Sequence, residues 1–493
     1  MLDDPESMPS GQLNEQNAIA QQTDSNVHPH DWPKSQWKKI LVIITSLLMV
    51  MHSTISSSLP GNAGDSIRLA FPQITDLQLV LPVSIYLVGF VLGPAFLGPM
   101  SEVKGRRPVL LATFVLYMIF TLACALAPNF PALLVFRLLS GTNAAAPVAI
   151  IGGVYADMYS TPRERGWCIA LLMAVTNLGP CLGPIITGCV SPISWRWSYW
   201  VGLILAGSTL PLVLWLPETF APVLQRKGLL DAHHGCPEPH LGVSGSEIKK
   251  GTGRHTSLAT FTKSFRMLFS ESILMLTCLY LSFVYSIFYL YLQAYPVIFQ
   301  GTDSIYKLST RTTGLAFLPI GVGALISGVF YMFWDIYLER SIRLGKQWTK
   351  KEEMRRLPLA CAGGPIFVVA VFGLGWTCRP DIHWVVPALS GIFFGIGFVL
   401  IFIAMLNYIT DAYEIYAASA HGVASTCRSI FGALLPLAGR KMYQTLGVGW
   451  ASTLLGSCGL FLAAVPFVFI KYGPLIRSRS KFAREIQEAK QRD

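Results

Sequence analysis

Apolar residues recur along this 493-residue chain in long runs, and those runs limit what it can become. Twelve can be marked, at about 38–59, 78–99, 108–127, 131–155, 167–190, 199–216, 273–299, 313–337, 358–377, 384–408, 418–439 and 451–471. Each is close to the roughly 20 apolar residues that carry a helix across a bilayer's hydrocarbon core. A backbone in that medium must satisfy its own hydrogen bonds, so such runs become helices. The expected fold class is therefore an all-α integral membrane protein with twelve transmembrane helices. Composition agrees: 13% of residues are charged, against about 25% in soluble domains.

The charges set the expected topology. Of the 38 Lys and Arg, seven (Arg68, Arg196, Lys307, Arg311, Arg379, Arg440 and Lys441) fall on one side of the twelve crossings. Two fall inside apolar runs, Arg137 and Arg428, and the remaining 29 lie on the other side. Basic loops stay in the cytoplasm, which places both termini there. Topology and anionic lipid then account for the net charge of +11 without nucleic acid. Residues 1–37 are polar and read as a disordered cytoplasmic tail with no cleavable leader. The longest connection, 217–272, is a Gly-rich cytoplasmic linker that divides the runs into halves at 38–216 and 273–471. Residues 472–493 form a short cytoplasmic tail. His233 and His234 in the linker have no acid or cysteine at ligand spacing, so no metal site is expected. The ten cysteines are scattered, with no C-x-x-C pair, and no N-x-S/T sequon occurs.

Between the second and third runs, Gly98 to Leu110 reads G-P-M-S-E-V-K-G-R-R-P-V-L. A generic basic turn could join two helices, but the acid and both glycines add to the bare Arg-Arg pair. The stretch resembles the loop between spans two and three of the major facilitator superfamily, G-x-x-x-D-x-x-G-R-R, with Glu102 in the acidic position. The resemblance implies two six-helix halves related by an axis along the membrane normal, which rock around a central site. It also implies a cytoplasmic cluster of Glu102, Arg106, Arg107 and Asp157 that latches the halves when the protein faces outward, with Glu102 acting on the start of span eleven near His421. The equivalent loop of the second half, about 338–357, is simply basic and shows no clean copy of the motif.

Arg137 lies inside the fourth run, in R-L-L-S-G-T-N-A. A charge at that depth costs roughly 2.5–3.5 kcal/mol on insertion scales, so it faces a cavity or a partner. Arg137 and Gly141 match a second family motif, R-x-x-x-G, in which the arginine is linked to proton coupling. A structural role, bonding carbonyls between helices, is the competing reading. The fifth run contains N-L-G-P-C-L-G-P-I-I-T-G. Gly179, Pro180, Gly183, Pro184 and Gly188 resemble the antiporter motif G-P-x-x-G-P-x-x-G-G, associated with export. Proline bends such a helix and glycines let a neighbour approach. Thr187 replaces the first glycine of the closing pair, and a looser helix contact is expected there.

W-R-W-S-Y-W before the sixth run, P-E-T-F-A-P-V-L after it, the aromatic seventh run and Y-G-P-L-I-R near the end resemble fungal twelve-span drug:proton antiporters. That resemblance covers about residues 37–484. Tyr285 and Tyr289 share a helical face, and with Asn177, Gln293, Asn407, Tyr408 and Arg428 they are the candidate cavity residues. Aromatic faces with a few hydroxyls suit amphipathic ligands, cationic ones included. His52 is a candidate titrating group. The first half has no acid deep within a run, which leaves proton coupling without an obvious carboxylate.

These readings converge on a non-enzymatic plasma-membrane exporter of small organic molecules such as drugs, toxins or secondary metabolites. It would act as a monomer driven by a proton gradient, with no cofactor. Vacuolar or vesicle membrane is the alternative location. Nutrient uptake and a non-transporting receptor are the alternative functions.

Overall fold

The computed structural model describes residues 35–159, 162–226, 268–301, 304–413 and 417–479. The tails 1–34 and 480–493 and the linker segment 227–267, with His233 and His234, lie outside the described residues. Spans one to six are Gln36–Ser58, Asp76–Lys104, Arg106–Ala125, Phe130–Met158, Pro162–Val190 and Arg196–Leu214. Spans seven to ten are Ser272–Phe299, Leu318–Arg343, Pro358–Thr377 and Val385–Tyr413. The last two crossings form one helical stretch, Ala417–Leu462, followed by Val465–Arg479. A straight helix of 46 residues would be about 70 Å long, twice a bilayer core. Gly447 divides it with a φ of 76°, a conformation that a residue lacking Cβ adopts without strain. Eleven apolar helical stretches among the described residues thus supply twelve crossings.

Successive crossings place alternate helix ends together. One end of the molecule gathers the Gly105 turn and the starts of spans three, five, seven and nine. We call it the basic face, and the opposite end the far face. Several helices overrun their apolar stretches there: span two continues to Lys104, span eight to Arg343 and span ten to Tyr413. Apolarity marks the hydrocarbon, whereas backbone bonding carries a helix on into the polar interface.

Each half has its own core. Val42, Met49, Tyr86, Phe114, Ile151 and Ala206 belong to the first, and Leu281, Phe288, Tyr291, Phe367, Phe394 and Phe402 to the second. Val83 and Leu87 of span two and Cys181 of span five join the second core, so these two spans carry the seam between halves.

The halves repeat each other in geometry where the sequence shows no repeat. Spans two and four meet backbone to backbone through Gly89 and Gly141, and spans eight and ten meet in the same way through Gly323 and Gly395. A Cβ on Gly89 would lie 2.5 Å from the Thr142 nitrogen. At the basic face, Arg106 at the start of span three pairs with Asp157 at the end of span four, Nε to Oδ2, at 3.2 Å. Arg356, just before span nine, pairs with Asp411 at the end of span ten at 2.7 Å. The simply basic 338–357 loop therefore ends in a counterpart of the first-half pair.

Candidate substrate pathway and its gates

The far face is sealed by span five. Its two Gly-Pro steps turn a glycine edge toward span one, and Gly179 and Gly183 lie so close to Thr54 and Ser58 that neither position admits a side chain. Gly188 continues the edge against the short helix Thr310–Leu315 that leads into span eight. A Cβ there would sit 2.8 Å from the Thr310 carbonyl oxygen and 3.1 Å from the Gly314 Cα. Thr187 does not loosen this contact as the sequence suggested. Its hydroxyl is buried and donates to the Leu59 carbonyl at 2.6 Å, so a hydrogen bond takes the place of a glycine approach.

Polar contacts between the halves lie along this end. Asn62 donates to the Thr310 carbonyl at 3.1 Å, Gln300 donates to Asp65 at 2.7 Å, and Arg440 faces Asp76 at 3.6 Å. Asp76 also pairs with Arg68. Deeper in, the Ser57 and Tyr289 hydroxyls meet at 2.7 Å.

Arg137 sits about 10 Å into span four from the far face, seven residues beyond the helix start, and is 1% exposed. Its guanidinium donates to the carbonyls of Pro82 at 2.8 Å, Ser56 at 3.0 Å and Ser57 at 3.3 Å. The reason lies in span one. Pro60 stands four residues after Ser56 and has no N–H, so the Ser56 carbonyl lacks a helical donor. Span one ends at Ser58 and tightens into the 3-10 turn Leu59–Asn62, and a cation suits such a carboxyl end. Tyr86 stacks under the guanidinium at 4.2 Å, with Tyr199 at 5.8 Å. These bonds are those of the structural reading: Arg137 ties carbonyls between helices, and through Ser57 it reaches Tyr289 of the other half.

The hydroxyl-rich stretch Ser53–Ser58 of span one is the feature sequence reasoning passed over. All of it is buried, five hydroxyls around Ile55. Ser53 donates to the Ala144 carbonyl and Tyr86 donates to the Ser53 carbonyl. The signal was legible as a polar run inside an apolar one. His52, just before it, bonds Thr209 at 2.6 Å.

Tyr289 continues inward to Tyr285, hydroxyl to hydroxyl at 3.4 Å, and Arg428 lies over the Tyr285 ring at 5.4 Å and near Phe402 at 6.0 Å. A chain of contacts therefore runs from Arg137 through Ser57, Tyr289 and Tyr285 to Arg428. The other candidates sit apart from it. Asn177 is buried in span five and returns its amide to the Met173 carbonyl. Gln293 is half-buried one turn beyond Tyr289. Tyr408 packs on Phe469 of span twelve. Asn407 is placed toward the basic face, in a pocket with Tyr331, Asp335, Arg355 and Arg356 rather than beside Tyr285. Asp335, within span eight, was not anticipated.

At the basic face Arg106 is held by Asp157 and by the Ser101 hydroxyl at 2.9 Å, over the Phe220 ring at 5.1 Å. Arg107 turns away and donates to the Leu214 carbonyl at 3.0 Å. The bonds of both arginines stay inside the first half. Glu102 lies within electrostatic reach of Arg106 and Asp157, while His421 bonds Thr410 at 2.8 Å. Glu218, from the P-E-T segment, completes the cluster. Its buried carboxylate accepts from the backbone nitrogens of Arg106 at 3.0 Å and Arg107 at 3.2 Å, capping span three. Gly105 makes this possible, with φ of 102° and a Cβ position only 2.6 Å from Glu218 Oε2. The first residues of the expected linker are thus built into the first half. In the second half, burial works most strongly against the charge of Arg356, but Asp411 together with Tyr331 and Asp335 holds the guanidinium above its usual range.

Twelve spans in two geometrically repeated halves, with polar contacts along the seam between them, give the architecture of a membrane transporter. The sequence profile of the Major Facilitator Superfamily matches residues 41–436, and the chain belongs to that family of transporters, which are not enzymes. The transporter paaT of Penicillium rubens is 34% identical over 477 residues, 95% of this chain and 84% of that protein. The multidrug transporter FLU1 of Candida albicans is 34% identical, over 93% of this chain and 75% of that protein. The efflux pump FUB11 of Gibberella moniliformis is 33% identical, over 93% and 77%. The xylose transporter XylE of E. coli, partially occluded and open inward, shares the fold with a TM-score of 0.62 at 15% identity, covering 89% of this chain and 98% of that one.

Proposed function

We propose that this protein exports small organic molecules from the cytoplasm across the plasma membrane by proton antiport and alternating access. The observation that carries this reading is the far-face seal, in which span five packs its glycine edge onto span one and onto the entrance to span eight. The 29-to-7 split of basic residues supports a cytoplasmic basic face and cytoplasmic termini. On this reading the far-face contacts are the closed outer side of the transporter. The names of the relatives, efflux pump and multidrug transporter, support export as the direction.

Everted plasma-membrane vesicles from an expressing strain provide the test. Their outer surface is the cytoplasmic face, so an exporter fills the lumen. Tritiated organic probes of each charge type should accumulate above equilibrium when the lumen is acid, and a protonophore should release them. Equilibration without accumulation would identify a facilitator, accumulation only in right-side-out vesicles an importer, and no flux for any probe a receptor.

A further inference from the structure

We infer that the transported molecule is an organic anion, a carboxylate on an apolar or aromatic body, and that Arg428 receives it; this rests on the transporter reading above. Arg428 lies eleven residues into Ala417–Leu462 from its basic-face start, about 17 Å along the helix and so midway across the membrane. It is 9% exposed. Its Nε is buried without a hydrogen-bond partner. Among the described residues, no carboxylate pairs with it, and its contacts are the Tyr285 and Phe402 rings. It lies at the seam, where Tyr285 and Leu87 of opposite halves converge on Gly432 one turn further along span eleven.

Arg137 makes an instructive contrast. All three of its nitrogens are engaged by carbonyls, so its charge is committed to the fold. Arg428 has no such commitment. An intramembrane charge that the protein does not neutralise marks a substrate path.

The distribution of acids strengthens the assignment. Among the described residues, Glu102, Asp157, Glu164, Glu218, Glu271, Asp335, Asp411 and the acids of 339–353 lie toward the basic face, and Asp65, Asp76 and Asp381 lie at the far face. Asp335 reaches deepest of the described acids, eight residues from the basic-face end of span eight, and none lies as deep as Arg428, eleven residues from its helix start. His421, two turns before Arg428 on the same helix, is engaged with Thr410 at 2.8 Å, and Cys427 is the arginine's immediate neighbour in the chain. A cationic ligand would meet uncompensated positive charge there. A carboxylate would meet a planar fork whose geometry it matches, with the half-buried Tyr285 ring beside it to take its apolar body.

Binding to the purified full-length protein tests this without relying on flux. Three probes of one shape are used: 4-butylbenzoate, 4-butylbenzamide and 4-butylbenzylamine. The carboxylate should bind at least tenfold more tightly than either other probe. R428Q should reduce it to the level of the amide, and R428K should retain part of the preference through its charge. Size-exclusion profiles and melting curves show whether each variant is folded. Should R428Q fail to fold, the folded Y285A variant is the second reading: all three probes should weaken together while the carboxylate preference stays, and unchanged affinities would count against the site. Equal binding of all three probes, preference for the amine, or a carboxylate preference that persists in R428Q would overturn the inference. Carboxylate binding without any accumulation in vesicles would leave the site standing and sink the export reading instead.

Discussion

A guanidinium that holds three carbonyls gives its mutants a particular pattern. Arg137→Ala leaves the Ser56, Ser57 and Pro82 carbonyls without this donor in a dry interior, at about 1–3 kcal/mol for a buried group left unpaired. We expect a protein that reaches the membrane at reduced yield and accumulates probe at under a tenth of the wild-type rate. Arg137→Lys keeps the charge but not the fork and should restore activity only in part; wild-type accumulation in the alanine variant would remove Arg137 from the transport cycle. Tyr289→Phe deletes only the hydroxyl that meets Ser57. It should leave the melting temperature nearly unchanged while slowing export several-fold, as a hydrogen bond of about 1 kcal/mol would. Arg137 was legible in the sequence because a charge stands out in an apolar run. Its partners were not, since they are backbone carbonyls freed by a proline on another helix. Glu218 was visible as a motif letter, but its role depends on a turn 112 residues earlier in the chain.

Among the elements, span five is the one whose sequence pattern translated most directly into packing. Glycines four apart fall on one edge of a helix, and that edge meets span one. Gly183→Val would drive a branched side chain into Ser58 and the Ile55 carbonyl. Neither backbone can yield cheaply, so the far face should fail to close. Gly183→Val protein should become labelled at Asn62→Cys by an impermeant thiol reagent added from outside, where the parent protein carrying Asn62→Cys alone is protected. Equal protection in both would show that the seal lies elsewhere. Thr187 marks the limit of reading a motif letter by letter. The departure from glycine implied a looser contact, yet the hydroxyl found a carbonyl at the end of span one. Helix ends were misjudged for a related reason, because hydropathy reports the solvent around a residue and not the bonding of its backbone.

For the molecule as a whole, the repeat is the property least visible in the sequence. Loop 338–357 lacks the first-half motif, but Arg356–Asp411 stands where Arg106–Asp157 does. What is preserved is a charge pair joining the start of one helix to the end of the next, and different residues around it satisfy that geometry. Asp411→Asn should therefore impair export about as much as Asp157→Asn, several-fold each in vesicle assays, as expected for part-exposed pairs of about 1 kcal/mol. A large effect of one with none of the other would deny the equivalence. Closure of the far face makes a global prediction as well. With exposed Cys189 and Cys458 replaced by serine, Asp65→Cys and Gln300→Cys should be bridged through two disulfides by a short bis-methanethiosulfonate reagent, and the bridge should stop transport until it is reduced.

That same far-face seam also carries an energetic scale. Its polar part consists of the Ser57–Tyr289, Asn62–Thr310, Asp65–Gln300 and Asp76–Arg440 contacts. At net values of about 0.5–1.5 kcal/mol for a hydrogen bond and about 0–1 for an exposed ion pair, their sum is about 2–5 kcal/mol. One elementary charge crossing a membrane releases about 2.3 kcal/mol per 100 mV. Resting voltage acting on a single charge therefore supplies an amount comparable to what these contacts hold. A much stronger seam would stall at that voltage, and a much weaker one would let the outer door stand open between cycles.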